Sequence, residues 1–148
     1  MYSITGNPSY QSFSQRLEYS KAAISIIKKH FWFGVGAGNW REEFKNTYIE
    51  NNSKLKEGLY ASSHNQFLNY MVKFGISGFM LIMFFIVYPI VKTVSYRDLL
   101  FLLFLVFLFF ANFADSNFES HMGSSFFLFF YCLFIIQPND LYLNLSDN

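Results

Sequence analysis

Charge is what this sequence has little of. Asp, Glu, Lys and Arg make up 14% of its 148 residues, about half the usual share of a soluble domain. The length would suit one such domain, but the composition argues against it. Cysteine is nearly absent as well. Cys132 stands alone, which excludes a disulfide framework within the chain and leaves no zinc-ligand spacing. It lies inside an apolar run and reads as a small buried hydrophobe. No apolar stretch opens the chain. Met1 to Ser14 is polar, so no signal peptide is read there.

What is abundant is aromatic. Phe, Trp and Tyr reach 22%, with 21 phenylalanines. The polar and apolar residues are also segregated. Residues 1–74 hold nine of the eleven bases and five of the ten acids, a net charge of +4. The remainder holds two bases and five acids, net −3. A basic polar half therefore precedes an apolar half.

Residues 1–14 read as an irregular lead-in with a turn at Asn7-Pro8-Ser9. Residues 15–31 read as an amphipathic helix, with Leu17, Ile24, Ile27 and Phe31 on its apolar face and Gly34 as its stop. Phe31-Trp32-Phe33 is a cluster suited to a membrane interface. A short helix is expected around Arg41–Tyr48, then a loop through Asn51-Asn52-Ser53. Ser62 or Ser63 is a candidate cap for a helix beginning near His64. Three apolar runs follow, at about 75–94, 98–114 and 122–136, and a polar tail at 137–148. The first is 20 residues with one charge, Lys92, the length of a bilayer-spanning helix. Ser95-Tyr96-Arg97-Asp98 is tight enough to make the first two runs an antiparallel hairpin. The loop Asp115–Ser125 then shares a compartment with residues 1–74.

Two signals conflict over orientation. Lys92 and Arg97 favour a cytoplasmic hairpin turn, while the nine bases of residues 1–74 favour the opposite. The positive-inside bias applies to short loops, so the hairpin decides and residues 1–74 are expected outside the cytoplasm. A long polar segment ahead of the first span, with no signal, suggests the C-terminal part of a larger polytopic protein.

Several residues carry candidate chemistry. His64 opens a helix. Taken alone, such a histidine more often caps or packs, but an imidazole can also accept a hydroxyl proton. Arg16 offers a guanidinium fork for a diphosphate, and Arg41 is a weaker version of the same. Asn117, Glu119 and His121, in the polar island between the last two runs, are candidates for acceptor contacts, as polar groups beside a membrane cleft often are. Gly34-x-Gly36-x-Gly38 lacks the preceding strand of a dinucleotide fingerprint and reads as a tight turn.

His64-Asn65, nine residues, then Gly75-x-x-Gly78 resembles the signature of the O-antigen ligase and polymerase superfamily. Arg16-Leu17-Glu18 followed by Phe33 to Asn39 is similar to that family's periplasmic arginine and glycine turn. Asp115–Glu119 with Gly123 and Phe126-Phe127 is similar to its closing loop and helix. The resemblance implies an all-α polytopic membrane protein, here the C-terminal portion of a GT-C-type glycosyltransferase. Its parts would be a large helical periplasmic loop (1–74) and about three membrane helices (75–136). Such a family has about ten to twelve helices, more than this chain holds at ~20 residues each. The missing N-terminal membrane helices are then expected partners. The implied reaction moves a glycan from an undecaprenyl diphosphate carrier to a hydroxyl acceptor, lipid A–core for a ligase or another carrier-linked unit for a polymerase. No cofactor, metal or nucleic-acid partner is implied. The expected place is the bacterial inner membrane, among membrane lipids, with residues 1–74 in the periplasm. The resemblance makes His64 the base and Arg16 the diphosphate ligand. Asn65, Arg41, Asn117, Glu119 and His121 would bind substrate, and Gly34, Gly36, Gly38, Gly75 and Gly78 would shape the backbone. A non-catalytic, membrane-tethered glycan-binding or lipid-binding fragment is the competing class.

Overall fold

The computed structural model describes residues 12–53, 55, 57–92 and 98–136. The lead-in turn near Pro8, the hairpin turn and the polar tail lie outside these residues. Among them the chain is all helical: α1 (Ser12–Lys29), α2 (Trp40–Glu50), α3 (Gln66–Lys92), α4 (Leu99–Ala114) and α5 (His121–Ile136), with short 3-10 turns at Glu57–Leu59 and Asn117–Glu119.

Local chemistry sets the helix ends. Asp98 caps α4, its carboxylate accepting the N–H groups of Leu100 and Phe101. Ser120 caps α5 through the N–H of Gly123. The cap of α3 is Asn65, whose Oδ1 accepts the N–H of Leu68 at 3.1 Å. It is not Ser62 or Ser63, as the sequence suggested. Ser63 is buried and turns its hydroxyl to Asn65 O and Asn69 Oδ1.

The small core joins α1, α2 and the start of α3. Tyr19, Ala22, Ala23, Ile26 and Ile27 of α1 pack with Phe44, Tyr48, Leu55 and Val72. Of the four residues expected on the inward face, Ile27 is there and the others are not. Leu17, Ile24 and Phe31 are 43–45% exposed, and the two alanines take the contact because small side chains let helices approach closely. His30 Nε2 lies 3.6 Å from Glu43, and Lys29 pairs with Glu50, tying the end of α1 to α2.

α3 is two helices end to end. Gly75 breaks it with φ 65° and ψ −171°, a backbone region open essentially to glycine alone. The bend is sharp. Phe67 and Phe79 rings are 6.4 Å apart, whereas twelve residues of straight helix would separate them by ~18 Å. At the break, two carbonyls and two N–H groups of α3 find partners in the turn after α1. Val35 and Gly36 donate to Val72 O and Lys73 O, each at 2.9 Å. Ile76 and Ser77 donate to Phe31 O and Trp32 O at 2.8 and 3.3 Å. The two backbones touch. A Cβ on Gly34 (φ 67°) would stand 2.6 Å from backbone atoms of Val72, Lys73 and Gly75. A Cβ on Gly75 would stand 2.5 Å from those of Trp32 and Phe33. Gly75 therefore serves the contact with this turn. A Cβ on Gly78 would meet only its own helix neighbour, Phe74.

Below the break, α3, α4 and α5 pack through aromatic rings. Phe101 and Phe104 of α4 meet Phe134, Phe126 and Phe130 of α5. The Tyr131 hydroxyl donates to Ile86 O of α3. Ile76 and His121 each lie about ten residues from that bond toward the same end. The short loop after Ala114 brings the end of α4 there too. Outward from these contacts the surface is apolar, including Phe84, Phe85, Phe107, Phe110 and Phe129. Among the described residues α3 is the one helix long and apolar enough to cross a membrane. α4 and α5 have 16 residues each.

The close approach makes a prediction. Gly75→Ala or Gly34→Ala is expected to cost about 3 kcal/mol or more, because neither backbone can yield and φ is positive. Gly38→Ala, with open space around it, should stay within about 1 kcal/mol of wild type. Thermal unfolding in mild detergent measures both, and equal melting of all three variants would contradict the contact.

Candidate functional site

The loop before α3 is held by two phenols of the core. Tyr48 Oη donates to Ala61 O at 2.7 Å and Tyr19 Oη to Leu59 O at 3.0 Å. Burial pushes both phenols above their ordinary value, so both remain neutral donors. Tyr19 also sets its ring 5.7 Å from the imidazole of His64.

Beyond this loop, α3 begins against the loop after α4. Asn69 Nδ2 donates to Ser63 O and to Ser116 Oγ, and Ser116 Oγ donates back to Ser63 O. Gln66 Oε1 accepts the N–H of Phe118 at 3.0 Å. Ser63, Gln66 and Asn69 are buried, and their paired groups, Gln66 Nε2 excepted, hold the two segments in register. The result brings His64 Nδ1 within 3.1 Å of Asp115 Oδ1. The pair is open to solvent, at 42% and 59% of the two side chains.

Three sequence candidates converge on the C-terminal end of α4, where Ala111 O already accepts the Asp115 N–H. Asn65 Nδ2 donates to Phe113 O, Arg16 Nη1 to Ala114 O and Asn117 Nδ2 to Ala111 O. Asn65 thus spends both ends of its amide on the fold. Arg16 uses one donor of its guanidinium fork and is otherwise exposed. A cation suits a helix C-terminus, and Arg16 also acts on the carboxylate beside it. The Ser116 N–H holds the Asp115 carboxyl below its ordinary value. Partial burial opposes this, and His64 and then Arg16 add to it.

The other candidates lie elsewhere. Glu119 pairs with Lys73 at 2.7 Å, and the same ammonium stands 4.8 Å above the ring of Trp40. Arg41 stands 5.1 Å from that ring, away from His64. His121 is exposed at the start of α5. Gly36, at φ 86°, serves the turn described above. Among the described residues no cluster of His, Cys, Asp or Glu could hold a metal ion. Sequence reasoning missed Asp115 as the partner of His64. The available signal was its place as the first charged residue after an apolar helix.

The profile of one family, described as O-antigen ligase, matches residues 2–83, more than half of the chain. The chain belongs to the O-antigen ligase family. No curated protein and no solved structure matches it. The matched stretch contains Arg16, both sets of glycines and His64, while Asp115 lies beyond it.

Asp115 carries a pH prediction. A carboxyl lowered in the folded state stabilises it above the ordinary carboxylate range, and the gain is lost as pH falls through the lowered value. Asp115→Asn should melt below wild type at about pH 7, and the gap should close by about pH 2. A gap that persists unchanged into acid would show that the charge is not what matters.

Proposed function

We propose that the chain transfers a glycan from an undecaprenyl diphosphate carrier to a hydroxyl acceptor, lipid A–core in lipopolysaccharide assembly. The observation that carries this reading is the His64–Asp115 pair beside Arg16 at the end of α4. In this reading α3, α4 and α5 are membrane helices of a polytopic GT-C-type enzyme, supported by their outward apolar surface. Soluble monomers rarely expose contiguous apolar patches beyond a few hundred Å². Residues 1–74 lie on the extracytoplasmic side of the inner membrane, and further membrane helices complete the enzyme.

The chemistry follows from the pair. With a carboxylate at Nδ1, His64 keeps its proton there and presents Nε2 as the acceptor. Nε2 takes the proton of the acceptor hydroxyl as its oxygen bonds to the anomeric carbon. The bond from that carbon to the phosphate oxygen breaks, and its electron pair leaves on the carrier diphosphate. Arg16 matches the charge left there. Asp115 stabilises the imidazolium that forms. The protein need not create a leaving group, only position the partners and stabilise charge.

The test is complementation of a strain lacking its own O-antigen ligase, with the chain joined to N-terminal membrane helices of a family ligase. Long glycan on lipid A–core is read on gels. A positioned general base contributes about 10²–10⁴-fold, so His64→Ala should lower transfer by about that factor at equal expression. Arg16→Lys, which keeps charge but loses the fork, should also fall. Undiminished transfer by His64→Ala would remove the base. Carrier-linked polymer with none on lipid A–core would reassign the acceptor and make the enzyme a polymerase.

A further inference from the structure

The outer face of α1 has no protein against it among the described residues. Phe13, Leu17 and Ile24 recur at spacings of four and seven, which puts them on one side of the helix. All three are exposed, as is Phe31. Trp32 and Phe33 continue this surface into the turn and are 68% and 81% exposed. Scattered exposed apolar residues need no explanation, but three on one helix face with three more in the turn that follows do.

The position of α1 indicates what meets them. One end is fixed to the end of α4 by Arg16 on Ala114 O. The other is fixed to the start of the lower part of α3, where Ile76 and Ser77 bond Phe31 O and Trp32 O. Both anchors lie at the same end of the apolar helix group. An 18-residue helix held at both ends in this way crosses that end and does not run along the shafts. Its apolar stripe is then continuous with the exposed apolar surface of α3.

We infer that α1 and the Phe31–Phe33 turn lie flat on the lipid surface, with the stripe sunk to the depth of the headgroups and upper acyl chains. This rests on the membrane reading of α3 given above. An in-plane helix with bulky apolar residues on one face and lysines beside it has the composition of an interfacial element, and Trp is favoured at that depth. Lys28 is exposed on the same helix and has the reach to keep its ammonium in water. The consequence concerns the donor. Arg16 sits on α1 between Phe13 and Leu17, so its guanidinium is held at headgroup level. A lipid-linked diphosphate would meet it without leaving the leaflet.

Trp32 is the probe. The chain has two tryptophans, so Trp40→Phe leaves Trp32 alone. In vesicles of phosphatidylcholine and phosphatidylglycerol, bromine near the carboxyl end of the acyl chains should quench Trp32 about twofold more than bromine near the terminal methyl. Phe84→Trp, in a chain with Trp32→Phe and Trp40→Phe, should show the opposite order if α3 crosses the bilayer. Deep quenching at position 84 with Trp32 untouched by lipid bromine would overturn the seating of α1 and leave the membrane reading standing. That holds whether Trp32 is then open to aqueous iodide or shielded by protein. Failure of lipid quenching at both positions would overturn the membrane reading itself.

Discussion

A broken helix sets the geometry of this protein. Gly75 interrupts α3, and an interruption inside a packed structure leaves polar backbone groups that must find partners or cost free energy. The turn from Phe31 to Gly36 supplies two donors and two acceptors. The exchange needs backbone-to-backbone contact, and that contact needs glycine on both sides. Through it the helix carrying Arg16 and the helix opened by His64 become one unit.

The end of α4 is where that unit acts. Its last carbonyls are capped by side chains from three segments, Asn65, Arg16 and Asn117. Capping a helix and building a site are here the same arrangement. The cation that satisfies a carbonyl also faces a carboxylate, and the residue next to the cap is the histidine that carboxylate orients. In the proposed reaction the group stabilising the leaving diphosphate and the base taking the acceptor proton are therefore positioned by one helix terminus. Beneath them, the buried Ser63–Gln66–Asn69 network fixes the register.

Much of this was legible in the sequence, for physical reasons that also explain the rest. The apolar runs located α4 and α5 to within a residue or two, because long uninterrupted apolar stretches leave few alternatives. His64 and Arg16 stood out as candidates through a pattern resembling a family's, and the fold brings both to the end of α4. The link between Gly34 and Gly75 was not. They are 41 positions apart, and no local pattern says which glycine meets which. The inward face of α1 was misassigned because the larger apolar residues were placed inside. Close helix packing favoured Ala22 and Ala23, which leaves Leu17 and Ile24 on the exposed face. Asp115 was passed over for Asn117, Glu119 and His121 because the polar island was visible but its register was not. That register depends on Ser116 and Phe118 meeting Asn69 and Gln66, contacts made some 50 residues away in sequence.

The most direct test of the central contact is residue-resolved amide exchange at Val35, Gly36, Ile76 and Ser77. The interlock makes all four N–H groups donors to another segment, so all four should be protected to a similar degree and should open together. An unbroken α3 would instead protect Ile76 and Ser77 through their own helix and leave Val35 and Gly36 to exchange freely. That second pattern would contradict the account, because the backbone interlock between the arginine helix and the histidine helix would then be absent.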